Sequence, residues 1–218
     1  VLQCFNWRGV EYNPSDEIAQ LQKQLATLDQ TKTANEIMGV EGICSAIYFT
    51  GFGHMFKCKF SFEKRTRRPP KDPINVILSL AYTLLTKEVA AALEAESFET
   101  YLGFLHGIRY GRKSLSLDIV EEFRQPAVDR LVVILFNKNM IGEFDFEQQD
   151  DGILLTEGGF KKFCVEYEKW MKKPVGGPEN RSFRTILRDQ VGGLKRAIRK
   201  NEMYQPYEWR REDVSDQL

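Results

Sequence analysis

The chain has 218 residues, an apolar content of 42%, and 31 basic side chains against 31 acidic ones, for a net charge of zero. That is enough apolar material for the core of one large or two small domains, and no run of about 18 apolar residues marks a transmembrane span. The four cysteines (Cys4, Cys44, Cys58 and Cys164) are irregularly spaced with no CxxC pair, and His54 and His106 lie far apart. This excludes a disulfide scaffold, argues against structural zinc, and points to a reducing cytoplasm. The sequence opens on Val1 with no signal segment, as expected of a piece cut from a longer polypeptide.

In chain order, residues 1–14 hold at most one short strand, Val1 to Trp7, and read as a remnant or linker. Ser15 is placed to cap a helix with Asp16 and Glu17 in its first turn, and Ile18, Leu21, Leu25 and Leu28 follow on one face. After a polar break at Gln30 to Thr33, a second helix carries Ile37, Val40, Cys44 and Ile47 and ends near Gly51–Gly53. Glu41 lies at the edge of that stripe, as a solvated residue or as an inward carboxylate. The segment TRRPPKDP breaks regular structure and prepares a helix start, with Asp72 as cap and Pro73 in the first helical position. The helix to about Ala95 shows an apolar stripe (Ile74, Ile77, Leu78, Ala81, Leu84, Leu85, Val89) and a second, uncharged polar one (Asn75, Ser79, Tyr82, Thr86). The latter suits a hydrogen-bonding interior surface.

The segment GFLHGIRYGRKSLSLDIVEEFR, from Gly103 to Arg124, places His106 upstream of Asp118 and Glu121. Their i, i+3 spacing puts both carboxylates on one side of a helix that Ser114 or Ser116 would cap. Pro126 to Met140 follows as a strongly apolar helix, then an acidic stretch with a hairpin expected around Asp151–Gly152. Gly158 to Met171 is expected to be helical with Phe160, Phe163, Cys164 and Tyr167 inward, and residues 174–180 to form a mobile connection. The last helix, 181–200, turns Phe183, Leu187, Val191, Leu194 and Ile198 to the core and Arg181, Arg184, Arg188, Lys195 and Arg199 into a basic ridge. The fold class is therefore mainly α, with residues 15–218 as one helical domain.

Charge is unevenly spread. Residues 57–71 and 181–200 each carry seven Lys/Arg against a single acid, whereas 143–151 holds five acids and no base. Two such basic segments can hold a polyanion on one face, although a charge run by itself is commonly a solvated face. If Glu41, His106 and Glu121 converge with Asp118 nearby, the mixed carboxylate and imidazole set suits Mg²⁺ or Mn²⁺ better than zinc, and beside basic ridges it suits phosphodiester chemistry. The plainer alternatives stay open: His106 as a satisfied core histidine, Asp118 and Glu121 as acids at a helix start, and Glu121 paired with Arg124 or Arg112.

Four segments carry a resemblance: VEGICSAIYFTGF, RRPPKDPINVILSLAYTLL, YLGFLHGIRYGRKSLSLDIVEEFRQPAVDR, and the basic C-terminal stretch ending YQPY. In this order, over roughly residues 35–207, the chain resembles the spacer-acquisition integrases, the universal adaptation nucleases of CRISPR-Cas systems. The resemblance implies the helical catalytic domain of that family, with its usual N-terminal β domain missing or reduced to the short strand. It implies Glu41, His106 and Glu121 as metal ligands, with Asp118 as an auxiliary acid of the catalytic set, and it selects Glu121 over the adjacent Glu122. Arg67, Arg68, Asn75 and Tyr82 are expected to position DNA or the metal ligands, and the basic ridge to contact DNA. The implied activity is that of a DNA endonuclease and integrase using Mg²⁺ or Mn²⁺. It joins the 3′-hydroxyl ends of a short foreign duplex with single-stranded 3′ ends (the prespacer) to a CRISPR repeat by transesterification, and His106 is implied to aid proton transfer. The implied assembly is two homodimers bridged by a small ferredoxin-like adaptation protein in a prokaryotic cytoplasm. Fusion to a reverse transcriptase or a trimming nuclease fits the missing β domain. The alternatives are a non-catalytic DNA-binding or assembly subunit and a stand-alone nuclease of branched DNA.

Overall fold

The computed structural model describes residues 2, 5, 10–175 and 180–209. The short strand expected from Val1 to Trp7, and the centre of the connection at 174–180, lie outside the described residues. The chain is mainly α. It divides into two compact units, one of residues 1–79 with 132–160, the other of 80–131 with 161–217.

In the first unit, α1 (Ser15–Thr27) lies against α2 (Ala34–Gly53). Ser15 does not cap α1; it is the first helical residue, and its hydroxyl donates to Asn13 Oδ1 at 2.6 Å. The start of α2 is better built than the polar break suggested. Thr33 Oγ1 accepts from Glu36 N and the Glu36 carboxylate accepts from Thr33 N, each at 3.2 Å, so orphan donors of the first turn are satisfied in both directions. The C-terminal half of α2 buries Tyr48, Phe49 and Phe52; Phe49 and Phe52 meet Phe62, and Phe52 meets Phe56, edge-on or tilted, and Phe136, Phe60 and Phe146 extend this aromatic core. Phe146 begins β1 (Phe146–Gln149), which pairs antiparallel with β2 (Gly152–Leu155) in the register Phe146↔Leu155, so the expected hairpin is present. Ile153 N donates to Pro70 O at 3.2 Å, tying that hairpin to the proline-rich segment.

The start of α3 (Pro73–Ala95) is as the sequence indicates, with Asp72 Oδ1 accepting from Asn75 N at 2.8 Å. By length and composition alone α3 could cross a membrane. Ile74, Ile77, Leu78, Ala81, Leu85, Val89 and Leu93 are all fully buried, which is the pattern of a core helix.

In the second unit, α4 (Ser114–Phe123) runs into a π turn at Arg124–Asp129; α5 (Arg130–Asn137) continues the chain, and from residue 132 it belongs to the first unit. The sequence suggested two helices parted at Pro126; the structure keeps one helical path. Pro126 has no N–H to give and would crowd the preceding turn of a regular helix, and the wider turn absorbs both problems. The Ala127 carbonyl accepts from Trp170 Nε1 of α6 (Glu157–Lys172) at 2.7 Å. In α7 (Phe183–Lys200), Ser182 caps Thr185 N and Asn201 ends the helix in the left-handed region. Its core face is Phe183, Ile186, Leu187, Val191, Leu194 and Ala197. Phe160 and Ile198, both expected inward, are 46% and 54% exposed.

Candidate active site

The histidine segment is organised by one carboxylate. Asp118 Oδ2 accepts from Phe104 N at 2.5 Å and Leu105 N at 3.2 Å, and its Oδ1 accepts from His106 N at 3.0 Å. Successive N–H groups pointing at one anion form a backbone nest. Oδ1 also lies 2.7 Å from His106 Nδ1. That contact assigns the Nδ1–H tautomer and leaves the Nε2 lone pair as the ring's acceptor. Gly103 makes the approach possible, since a Cβ there would stand 2.8 Å from Asp118 Oδ2 and 2.5 Å from His106 O. Arg112 and Ser114 both donate to Gly107 O, at 2.6 and 2.9 Å, and Gly111 closes the turn at φ +70°. Ser114 therefore spends its hydroxyl on the loop, and neither Ser114 nor Ser116 caps α4.

One turn on, Glu121 accepts from Arg124 Nη1 at 2.8 and 3.1 Å. The Arg124 guanidinium lies 4.6 Å from the centre of the Tyr82 ring, and the Tyr82 hydroxyl bonds to Asp129. Burial works against the Arg124 charge, but Glu121, Tyr82 and Asp129 outweigh it and hold the guanidinium above its ordinary range. Tyr82 thus supports Arg124, which in turn holds Glu121. The adjacent Glu122 faces elsewhere. It accepts from Tyr204 Oη at 2.8 Å, Tyr207 N at 2.7 Å and Gln190 Nε2 at 3.2 Å, and Tyr207 stacks on Phe123. It is the clasp of the YQPY segment; burial and then the Glu122 charge hold the Tyr204 phenol far above its usual value.

The other predicted residues fall as follows. Glu41 lies on α2, in the first unit, and is exposed; burial and then its charge raise the Cys44 thiol. Arg67 and Arg68 are exposed. Asn75 is fully buried: its Oδ1 accepts from Arg65 Nη1 and Thr66 N, and its Nδ2 donates to Lys64 O and Asp72 Oδ2. All its hydrogen-bonding capacity is spent, so Asn75 holds the proline-rich segment on α3 and has nothing left to offer DNA. The basic ridge of α7 is divided. Arg184 is clamped by Glu88 and Glu168 through four bonds of 2.7–2.9 Å, Lys195 pairs with Glu96 and Arg181 with Asp189, while Arg188 and Arg199 are exposed.

Of the four residues expected at the catalytic centre, the structure brings His106 and Asp118 together. Asp118, expected as an auxiliary acid, orients the histidine and its loop. Among the described residues no three His, Cys, Asp or Glu side chains form a ready-made metal cage.

The profile of the family described as CRISPR associated protein Cas1 matches residues 1–169. The chain belongs to the Cas1 family. A CRISPR-associated endonuclease Cas1 of Thermodesulfovibrio yellowstonii is 37% identical over 181 residues, covering 82% of this chain and 54% of that protein. Among solved structures, a Cas1 protein from Thermotoga maritima superposes with a TM-score of 0.79 at 27% identity, covering 87% of this chain and 60% of that one. A chain of a Cas6-RT-Cas1–Cas2 complex gives a TM-score of 0.80 at 26% identity, with 92% of this chain and 22% of the larger one covered. This family member spans little more than half the length of the T. yellowstonii relative.

Proposed function

We propose that this chain is the catalytic helical part of a CRISPR adaptation nuclease and integrase. It joins the 3′-hydroxyl ends of a prespacer to the strands of a CRISPR repeat, in a prokaryotic cytoplasm and together with a Cas2-like partner. The observation that carries the reading is the Asp118–His106 pair. A largely shielded carboxylate fixes the Nδ1 side of the imidazole and the loop beside it, and the Nε2 lone pair is left with a defined direction. Metal-ligating histidines are commonly held in this way. Relatives named endonuclease, and the likeness to a chain of a Cas1–Cas2 complex, support the same conclusion.

The donors present fit Mg²⁺ or Mn²⁺: a nitrogen at His106 and carboxylates at Glu41 and Glu121, with no thiolate among them. We assign those three as the residues that would hold the ion. When bound, it supplies polarisation of the scissile phosphate and neutralises charge that develops on its oxygens. The protein's own groups do the rest. Asp118 holds His106 in one tautomer and one orientation, and Arg124 keeps the Glu121 carboxylate placed. In the joining step the 3′-oxygen forms one P–O bond as another breaks. The number of phosphodiesters is unchanged, and one proton passes from the attacking hydroxyl to the leaving oxygen. The exposed cations Arg67, Arg68, Arg188 and Arg199 would contact DNA backbone without reading sequence.

The test is metal-dependent joining of a 3′-hydroxyl oligonucleotide to a repeat-bearing plasmid by the full-length protein with its partner. His106→Ala and Glu41→Ala each abolish joining while circular dichroism stays native. Full joining by either variant removes the proposed site. Nicking of branched DNA by the unaltered protein without any joining identifies a stand-alone nuclease instead.

A further inference from the structure

The segment around YQPY, residues 202–209, has no regular secondary structure, yet it is docked. Tyr204, Tyr207 and Trp209 are half-buried, and the residues between them are exposed. Asn201 ends α7 in the left-handed region and Glu202 N returns to Ala197 O, so the chain reverses there. Gln190 Nε2 of α7 then donates to Tyr204 Oη at 3.2 Å and to Gln205 O at 3.0 Å. Gln190 precedes Asn201 by about three helical turns, or roughly 16 Å, so the segment runs back along α7.

Its anchors converge on the end of α4. Glu122 accepts from Tyr204 Oη, Tyr207 N and Gln190 Nε2, and the Tyr207 ring lies nearly parallel to Phe123 with centres 5.3 Å apart. At the far end of the π turn, the Arg130 guanidinium lies 4.8 Å from the centre of the Trp209 ring. In sequence these anchors flank Arg124, the residue that holds Glu121. A helix that passes into a π turn is less firmly braced than one that continues regularly. Adjacent helical positions point about 100° apart, so the segment grips Glu122 and Phe123 without covering Glu121, whose side chain stays 37% exposed.

We infer that residues 202–209 form a strap that fixes the last turn of α4, and with it the Glu121 carboxylate, for binding the divalent ion. Glu122, Tyr204 and Tyr207 are positioning residues of that site. The inference rests on the reading of Glu121 as a metal ligand. With the strap lifted, the last turn of α4 loses its outer support, and the ion has to order that turn as it binds, which lowers its affinity. The strap has no helix or strand bonds of its own, so its local opening takes little free energy. Coupling of this kind is reciprocal: the factor by which the strap raises the ion's affinity is the factor by which the ion holds the strap closed.

The experiment measures binding of Mn²⁺ alone to the full-length protein by electron paramagnetic resonance, without DNA. Tyr207→Ala and Glu122→Ala break the strap from its two sides, and each is expected to raise the Mn²⁺ Kd about tenfold, as loss of a residue that orients a metal ligand does. Tyr207→Phe keeps the stacked ring and the backbone N–H, and binds as the parent does. In the unaltered protein, saturating Mn²⁺ should slow exchange of the Tyr207 amide by the same factor, while the Ile153 amide in the hairpin keeps its rate. This second measurement needs no variant and so does not depend on how the variants fold. Parent affinity in both alanine variants overturns the strap, as does a Tyr207 amide indifferent to Mn²⁺ or slowed no more than that of Ile153. Glu121→Ala separates the two readings. If it binds Mn²⁺ as the parent does, the ligand assignment falls and the strap with it. If it loses the ion while Tyr207→Ala and Glu122→Ala bind normally, the metal site stands and the strap alone falls.

Discussion

Replacing Asp118 by alanine isolates the role the structure gives it. The carboxylate accepts from the N–H groups of residues 104, 105 and 106 and from His106 Nδ1. Hydrogen bonds to a charged group contribute about 1.5–3 kcal/mol each, so the gross interaction is roughly 6 kcal/mol or more. Part of that is recovered, because the loop is half exposed and water can take over its donors. A net loss of about 3 kcal/mol in the stability of the loop is a fair central value, equivalent to about 150-fold in its opening equilibrium. Amide hydrogen exchange reads this directly. The amides of residues 104–106 should exchange roughly two orders of magnitude faster in Asp118→Ala, while those in the middle of α7 keep their protection. Asp118→Asn, with one acceptor oxygen in place of two, should fall between. Exchange at 104–106 that is unchanged in the alanine variant would refute the claim that this carboxylate holds the histidine loop. Asp118 would then have to be considered for the metal itself.

Two further outcomes follow from the charges. Arg184→Ala strands Glu88 and Glu168 and should lower stability by about 2 kcal/mol, seen as a melting point lower by about 4–8 °C. Arg188→Ala and Arg199→Ala should leave the melting point alone, weaken DNA binding and flatten its salt dependence. Arg184 and then Lys172 hold the Glu168 carboxyl down at about 2, against an ordinary value of 4.5. A depressed acid contributes stability above its unfolded value, so this contribution is complete at neutral pH and is lost as pH falls from 4.5 through about 2. In Arg184→Ala a melting-point titration over that window should be flatter. Finally, Glu122→Ala should free the segment around Tyr204 and Tyr207, detected as new proteolytic cleavage near residue 203, whereas Glu121→Ala should leave the segment protected.

Much of this protein could be read directly from local sequence. Asp72 and Pro73 announce the start of α3, the turn residues Asp151 and Gly152 announce the hairpin at residues 146–155, and the segments around Glu41, His106 and Glu121 carry the family. These signals are local because capping, turn formation and motif spacing involve residues a few positions apart. What failed involved partners outside the residue's own helix. Helical periodicity put Arg184 on a basic ridge, but its charge is claimed by Glu88, 96 residues away. Asn75 belonged to a polar stripe, but it is buried and its partners, Lys64 and Arg65, arrive from another segment. Ser114 has the composition of a cap, yet Gly107 O is the nearer use for its hydroxyl. The i, i+3 spacing placed Asp118 and Glu121 on one side of α4. Only the path of the preceding loop decided that Asp118 faces three backbone amides and the ring of His106, while Glu121 turns to Arg124. The sequence by itself marked the residues proposed to carry chemistry; tertiary structure divided their contacts among them, because hydrogen bonds and ion pairs go to whichever partner the folded backbone brings within about 3 Å.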